Sequence, residues 1–179
     1  MYYKLLLGIF ASLTPSSICL GSNPIALQIG ESAVVQVNSA CKINRSNVIL
    51  ENGAHYTFTI QGSSCWSDGK IHCSANGWKA DQEFGPLLSR VAKRLEPKRK
   101  CPLANWFELV GSNQSASCVS NFRIGCRGSG WTFTPRFTGK FSAFANDLES
   151  RYHNNSGTLC VVITRVATAL RPLPACNCR

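Results

Sequence analysis

Apolar side chains recur at every second position in two stretches of this chain: Ala33, Val35 and Val37, and then Tyr56, Phe58 and Ile60 with Thr57 and Thr59 between them. Period two is the spacing of a strand with one buried face. Leu159 to Ile163 is apolar at every position, which predicts a central strand covered on both sides. Glycines at 53, 62, 111, 125, 128, 130 and 139 punctuate these runs at turn-like intervals. The expected architecture is all-β, an antiparallel jelly-roll sandwich whose two sheets share one core. One short helical insertion interrupts it. From Gly85-Pro86 to Leu95, the residues Leu87, Leu88, Val91 and Leu95 fall at helical spacing, with Arg90, Lys93 and Arg94 on the other face, and Pro97 stops the run. Lys98-Arg99-Lys100 follows.

The amino terminus bears on compartment. Met1 to Lys4 is basic, Leu5 to Leu13 is apolar, and small residues follow around Ser16-Ser17 and Gly21, which is the anatomy of a secretory signal peptide. Residues 1–21 are read as that peptide, 22–170 as one domain with a core of ordinary size, and 171–179 as a cysteine-containing tail. The expected location is secreted or periplasmic. A lipoprotein reading of Cys19 fits poorly with the Ser-Ser-Ile that precedes it. Cysteines outside the signal peptide stand at 41, 65, 73, 101, 118, 126, 160, 176 and 178. That density in an exported chain predicts disulfides, with Cys65–Cys73 and Cys118–Cys126 as hairpin-spanning candidates and one thiol left over.

Between two apolar runs, Phe141 to Ala145 and Leu159 to Ile163, lies a polar loop of about a dozen residues. Asp147, Asn154 and Asn155 supply hard oxygens there, and the backbone carbonyls between them supply more. Such a set suits calcium, which takes roughly six to eight oxygens and tolerates irregular geometry. The EF-hand pattern is absent, and the flanks have strand character. The competing reading is an ordinary turn in which Asn and Asp cap their own backbone.

Asn146-Asp147, then Tyr152, then Asn154-Asn155-Ser156-Gly157 running into a final apolar strand resembles the carboxy-terminal motif of the LecA/PA-IL type of bacterial galactophilic lectin, a galactose-binding-domain-like jelly roll. Tyr56 to Gly62 followed by Trp66 is similar to that family's early strand and its Gly-Trp end. Ala104 to Gly111 is similar to the strand before its middle hairpin. The likeness covers roughly residues 30 to 166. It implies one calcium ion, with Asp147, Asn154 and Asn155 as side-chain ligands, Arg151 offering its main-chain carbonyl, and two sugar hydroxyls completing the shell. The family's additional sugar-contacting His and Gln have no counterpart here, and Arg151 stands where a small residue is usual. The implied function is secreted carbohydrate binding that depends on calcium and prefers galactose-like sugars, with no bond broken and no catalytic residue.

Trp66 and Trp78, in Gly-, Ser- and Asp-rich surroundings, are candidates for a sugar-stacking rim, whereas Trp106 and Trp131 lie in apolar context and are expected in the core. The chain carries 19 Lys and Arg against 9 Asp and Glu. Such a field attracts anions. Acidic glycans join galactosides as candidate partners, and membrane contact would be peripheral. Nucleic acid is not expected, since export opposes it and no recognition motif accompanies the charge. An alternative keeps the sandwich but makes it an exported protein-binding module, an effector or inhibitor, using the basic insertion. Cys65, His72 and Cys73 lack zinc-site spacing. A Cys–His hydrolase built on Cys101 or Cys160 with His55 or His153 rests on no specific motif.

Overall fold

The period-two stretches become strands, and their apolar positions face one interior. The computed structural model describes residues 23–61, 66–125 and 131–168. The expected signal peptide and the tail at 171–179 lie outside the described residues. In chain order the strands are β1 (Ile25–Ala26), β2 (Ser32–Asn38), β3 (Asn44–Leu50), β4 (His55–Gln61), β5 (Trp66–Asp68), β6 (Ile71–Cys73), β7 (Leu109–Gln114), β8 (Val119–Arg123), β9 (Gly139–Ala145), β10 (Asn155–Ser156) and β11 (Thr158–Val166). Between β6 and β7 come α1 (Ala80–Glu83) and α2 (Pro86–Leu95).

One sheet runs β1-β3-β9-β7-β8 and the other β2-β11-β4, with a small ribbon β10-β5-β6 at one end. All pairings are antiparallel except β1 with β3. Val35, Val37, Tyr56, Phe58, Leu159, Val161 and Ile163 from one sheet meet Val48, Leu50, Leu109, Phe122, Phe141 and Ala143 from the other in a single core. This is an antiparallel β-sandwich. Phe58 ties the layers together, its ring 5.5 Å from Phe141 and 5.3 Å from Phe122. Trp106 and Trp131 are buried as their context predicts.

Three expectations change. β11 is central in its sheet, but only Leu159, Val161 and Ile163 are buried, while Cys160 and Val162 on the other face are half-covered. The apolar stretch from Ala104 does not begin as a strand, because Phe107 takes the left-handed region at φ 60, a conformation that ends an extended run before β7 starts at Leu109. The helix exists at the expected place, but neither predicted face turns fully inward: of the apolar stripe only Leu95 packs partly against the core, and Arg90, Lys93 and Arg94 are exposed. Ser89 and Ala92 are its buried residues, whereas Leu87, Leu88 and Val91 are 74, 59 and 49% exposed. Small side chains let a helix backbone approach its neighbour closely, and that approach turns the larger apolar stripe to the outside.

The cysteine expectation is also corrected. Cys41, Cys73, Cys118 and Cys160 are free thiols, so neither hairpin-spanning bridge is formed. Cys73 ends β6 with its thiol donating to the carbonyl of Trp66, its partner across the ribbon, 3.6 Å away. Cys101, by contrast, is disulfide-bonded.

Candidate functional site

The polar loop after β9 returns over the end of the sandwich, and three devices fix it. Asn146 reaches back to the segment ahead of β7: its amide nitrogen donates to the carbonyls of Cys101 at 2.9 Å and Asn105 at 3.0 Å, while its oxygen accepts from the Cys101 N–H at 3.1 Å. A 3₁₀ turn at Tyr152–Asn154 reverses the chain, and the buried Tyr152 hydroxyl donates to the Ala145 carbonyl at 2.5 Å. Finally β10 pairs with β5, placing Asn155 opposite Asp68 and Ser156 opposite Ser67. Directly opposed residues project from the same face of a ribbon, so Asn155 and Asp68 are neighbours although 87 positions apart in sequence.

This arrangement joins Asp147, Asn154 and Asn155 from the loop with Asp68 from β5. Asp147 is 2% exposed. Its Oδ1 accepts from the Leu148 N–H at 2.6 Å and its Oδ2 from the Asn155 amide at 3.1 Å. Asp68 accepts from the Asn154 amide at 3.1 Å. Burial raises the Asp147 carboxyl above the ordinary carboxylate range, and the hydrogen bonds from Leu148 and Asn155 oppose the rise. Burial, followed by the charge of Asp147, pushes Asp68 up to about 6. The Trp78 indole N–H lies toward Asp68 and favours its charged form, yet it does not meet the geometry of a hydrogen bond. Burial likewise raises the Tyr152 phenol, with the charge of Asp147 adding to the rise.

Two carboxylates thus sit close together, held by amide and backbone N–H groups. The Asn155 amide nitrogen also donates to the Ser39 carbonyl at 3.3 Å, while its Oδ1 is buried without a partner. A buried acceptor left unsatisfied costs about 1–3 kcal/mol, so this oxygen is suited to a hard cation or a donor from outside the chain. The Arg151 carbonyl already accepts from the Asn154 N–H at 3.1 Å, which leaves one lone pair free, and the Arg151 side chain is exposed. Carboxylate, amide and carbonyl oxygens make a hard-donor set that suits calcium. Among the described residues no three His, Cys, Asp or Glu side chains gather as a softer metal would require.

The structure brings four of the sequence-predicted residues together, Asp147, Arg151, Asn154 and Asn155, and separates the two tryptophans from the role expected of them. Trp66 is 0% exposed, its indole N–H donating to the Phe107 carbonyl at 2.9 Å and its ring edge-on to Phe107. Trp78 is 6% exposed, stacked on Trp106 at 5.3 Å with 10° between the rings. A sealed ring cannot stack on a sugar, and the rim expectation is withdrawn for both. Their polar surroundings misled because glycine here serves close packing. Gly77 has φ +68, and a Cβ on it would lie 2.0 Å from the Trp106 carbonyl oxygen that accepts the Trp78 N–H. Asp68 is the residue that sequence reasoning missed. Its signal, a carboxylate two positions after Trp66 in the segment resembling the family's early strand, was present, but the pairing with Asn155 is long-range.

No protein-family model matches the chain, and no curated protein does. Among solved structures the chain is similar to the EclA N-terminal domain, a PllA-like lectin, at 16% sequence identity and a TM-score of 0.46, over 75% of this chain and 94% of that one.

Proposed function

We propose that this chain is an exported carbohydrate-binding protein that holds galactose-like sugar through calcium at the Asp147 loop. The observation that carries the reading is the buried Asn155 Oδ1, without a partner among the described residues, beside the buried Asp147 and the half-buried Asp68, carboxylates that no basic side chain neutralises by an ion pair among the described residues. Asp147 and Asp68 would supply the negative charge, Asn154 and Asn155 their amide oxygens, and Arg151 its main-chain carbonyl. Calcium at such a site offers positions where two vicinal sugar hydroxyls replace water. The likeness of Asn146-Asp147 and Asn154-Asn155-Ser156-Gly157 to the galactophilic lectin motif supports the same reading. A single carboxylate would place affinity near about 10⁻⁴ to 10⁻³ M, and Asp68 raises the ligand charge above that case.

Titration calorimetry decides it: calcium first, then galactose with and without calcium, on the wild type and on Asp147→Asn. Wild type is expected to bind both and the variant neither. No calcium binding at millimolar concentration would return the loop to a self-capping turn. Calcium without sugar would favour a second reading, an exported protein-binding module. That reading has its own support in the exposed Leu87, Leu88 and Val91, flanked by basic Arg90 and Arg94.

A further inference from the structure

A cavity of about 240 Å³ opens between the helical insertion and the segment leading to β7, walled by Trp78, Lys79, Lys93, Glu96, Arg99 and Trp106, with Asp81 also on its lining. Arg99 is 5% exposed, and its guanidinium lies 4.6 Å above the centre of the Trp106 ring. All its hydrogen bonds go to neutral carbonyls: Nε donates to Glu96 at 3.2 Å and Nη2 to Pro102 at 3.0 Å. Nη1 has no partner. Trp106 Nε1, in the same wall, is also buried and unpartnered.

The orphaned atoms of this wall are all donors, and one belongs to a fixed cation. A buried guanidinium without a counter-ion carries a desolvation penalty that neutral carbonyls repay only in part. Glu96, Glu108 and Asp147 favour its charge through space, but none forms an ion pair with it, and Glu108 is bound to Arg123. Lys79 and Lys93 add positive charge at the lining, against Asp81 and Glu96. Guanidinium and indole N–H groups together suit an oxyanion: the guanidinium fork matches a carboxylate or sulfate edge, and the indole can donate but not accept.

We propose that this cavity binds the oxyanion of an acidic sugar, with Arg99 Nη1 and Trp106 Nε1 as its donors and the ammonium groups of Lys79 and Lys93 at its entrance. Both donor nitrogens are buried, so binding includes a movement of the Arg99 side chain that uncovers them. The choice of a sugar as carrier rests on the carbohydrate reading above, whereas the oxyanion site does not depend on calcium. Trp78 joins the two places, since it walls the cavity and directs its indole N–H toward Asp68.

The test is a thermal-shift titration of the full chain in EGTA with sodium galacturonate, galactose 6-sulfate and galactose. Both anionic sugars, or one of them, are expected to raise the melting temperature, and neutral galactose is not; which of the two acts tells carboxylate from sulfate. Arg99→Gln is expected to abolish the shift. Trp106→Phe, which keeps a ring under the guanidinium and removes only the donor, is expected to weaken binding about tenfold, and it carries the test if Arg99→Gln fails to fold. No shift with either anion, or an unchanged shift in Trp106→Phe, overturns the proposal. Loss of galactose binding in calcium alone leaves it standing and sinks the calcium reading instead.

Discussion

Glu108 and Asp147 are buried carboxylates at adjoining points of the same sheet, one just before β7 and the other just after β9, where Leu109 pairs with Ala145. What neutralises them differs. Glu108 receives Arg123 through two bonds, Nε to Oε1 at 2.9 Å and Nη2 to Oε2 at 2.7 Å, and caps the Asn105 N–H as well. Asp147 receives only an amide and a backbone N–H. A charge whose opposite is built into the chain serves the fold. One left to neutral donors stays available to a cation from outside, at a cost in stability.

The largest effect should come from breaking the satisfied pair. Arg123→Met leaves Glu108 buried and uncompensated and should lower stability by about 3–5 kcal/mol in urea titration. A smaller loss would mean that Glu108 is as free as Asp147, and the contrast would fail. Asp147→Asn, in EGTA, should leave stability unchanged or raise it by about 1 kcal/mol, because the amide keeps much of the hydrogen bonding without the buried charge; the same variant should lose calcium. A destabilised calcium-free variant would class Asp147 with Glu108.

Acidity sharpens the comparison further. Asp68 titrates at about 6 in the folded chain against an ordinary 3.8, so the native state holds this proton more tightly than the unfolded one. Stability without calcium should therefore fall as pH rises through the window from about 4 to 6, and be greatest below it. Urea midpoints across that range check this, and the Asp68 contribution should vanish in Asp68→Asn. The smallest effect belongs to Glu149, an exposed residue of the same loop, which pairs with Lys42 at 3.1 Å and Lys100 at 3.5 Å. Glu149→Gln should change stability and calcium affinity by less than about 0.5 kcal/mol.

How far the sequence led can be read from the same residues. β2 and β4 were legible because alternation is local and its consequence, one buried face, does not depend on the partner strand. Asp147, Asn154 and Asn155 were legible because they lie within nine positions of one another. Asp68 was not, since its place in the site depends on a ribbon pairing that no local pattern encodes. The helix was found but its buried face was not: spacing tells that two faces differ, while which strip docks, here the small Ser89 and Ala92, depends on the neighbours it meets. Trp66 and Trp78 show the reverse error, in which polar neighbours suggested exposure and close backbone approach produced burial.

The middle strand of the β2-β11-β4 sheet is the one nearest the carboxyl end of the described residues, and both neighbours hydrogen-bond to it rather than to each other. While the chain is being made, β2 and β4 therefore wait for about a hundred residues, their edges toward β11 unpaired, until Thr158–Val166 emerges to join them. A nascent or truncated chain stopping before this strand could pair β3, β9, β7 and β8 but would lack the β2-β11-β4 layer, so one sheet would stand with its inner face uncovered until the other is closed by its middle strand.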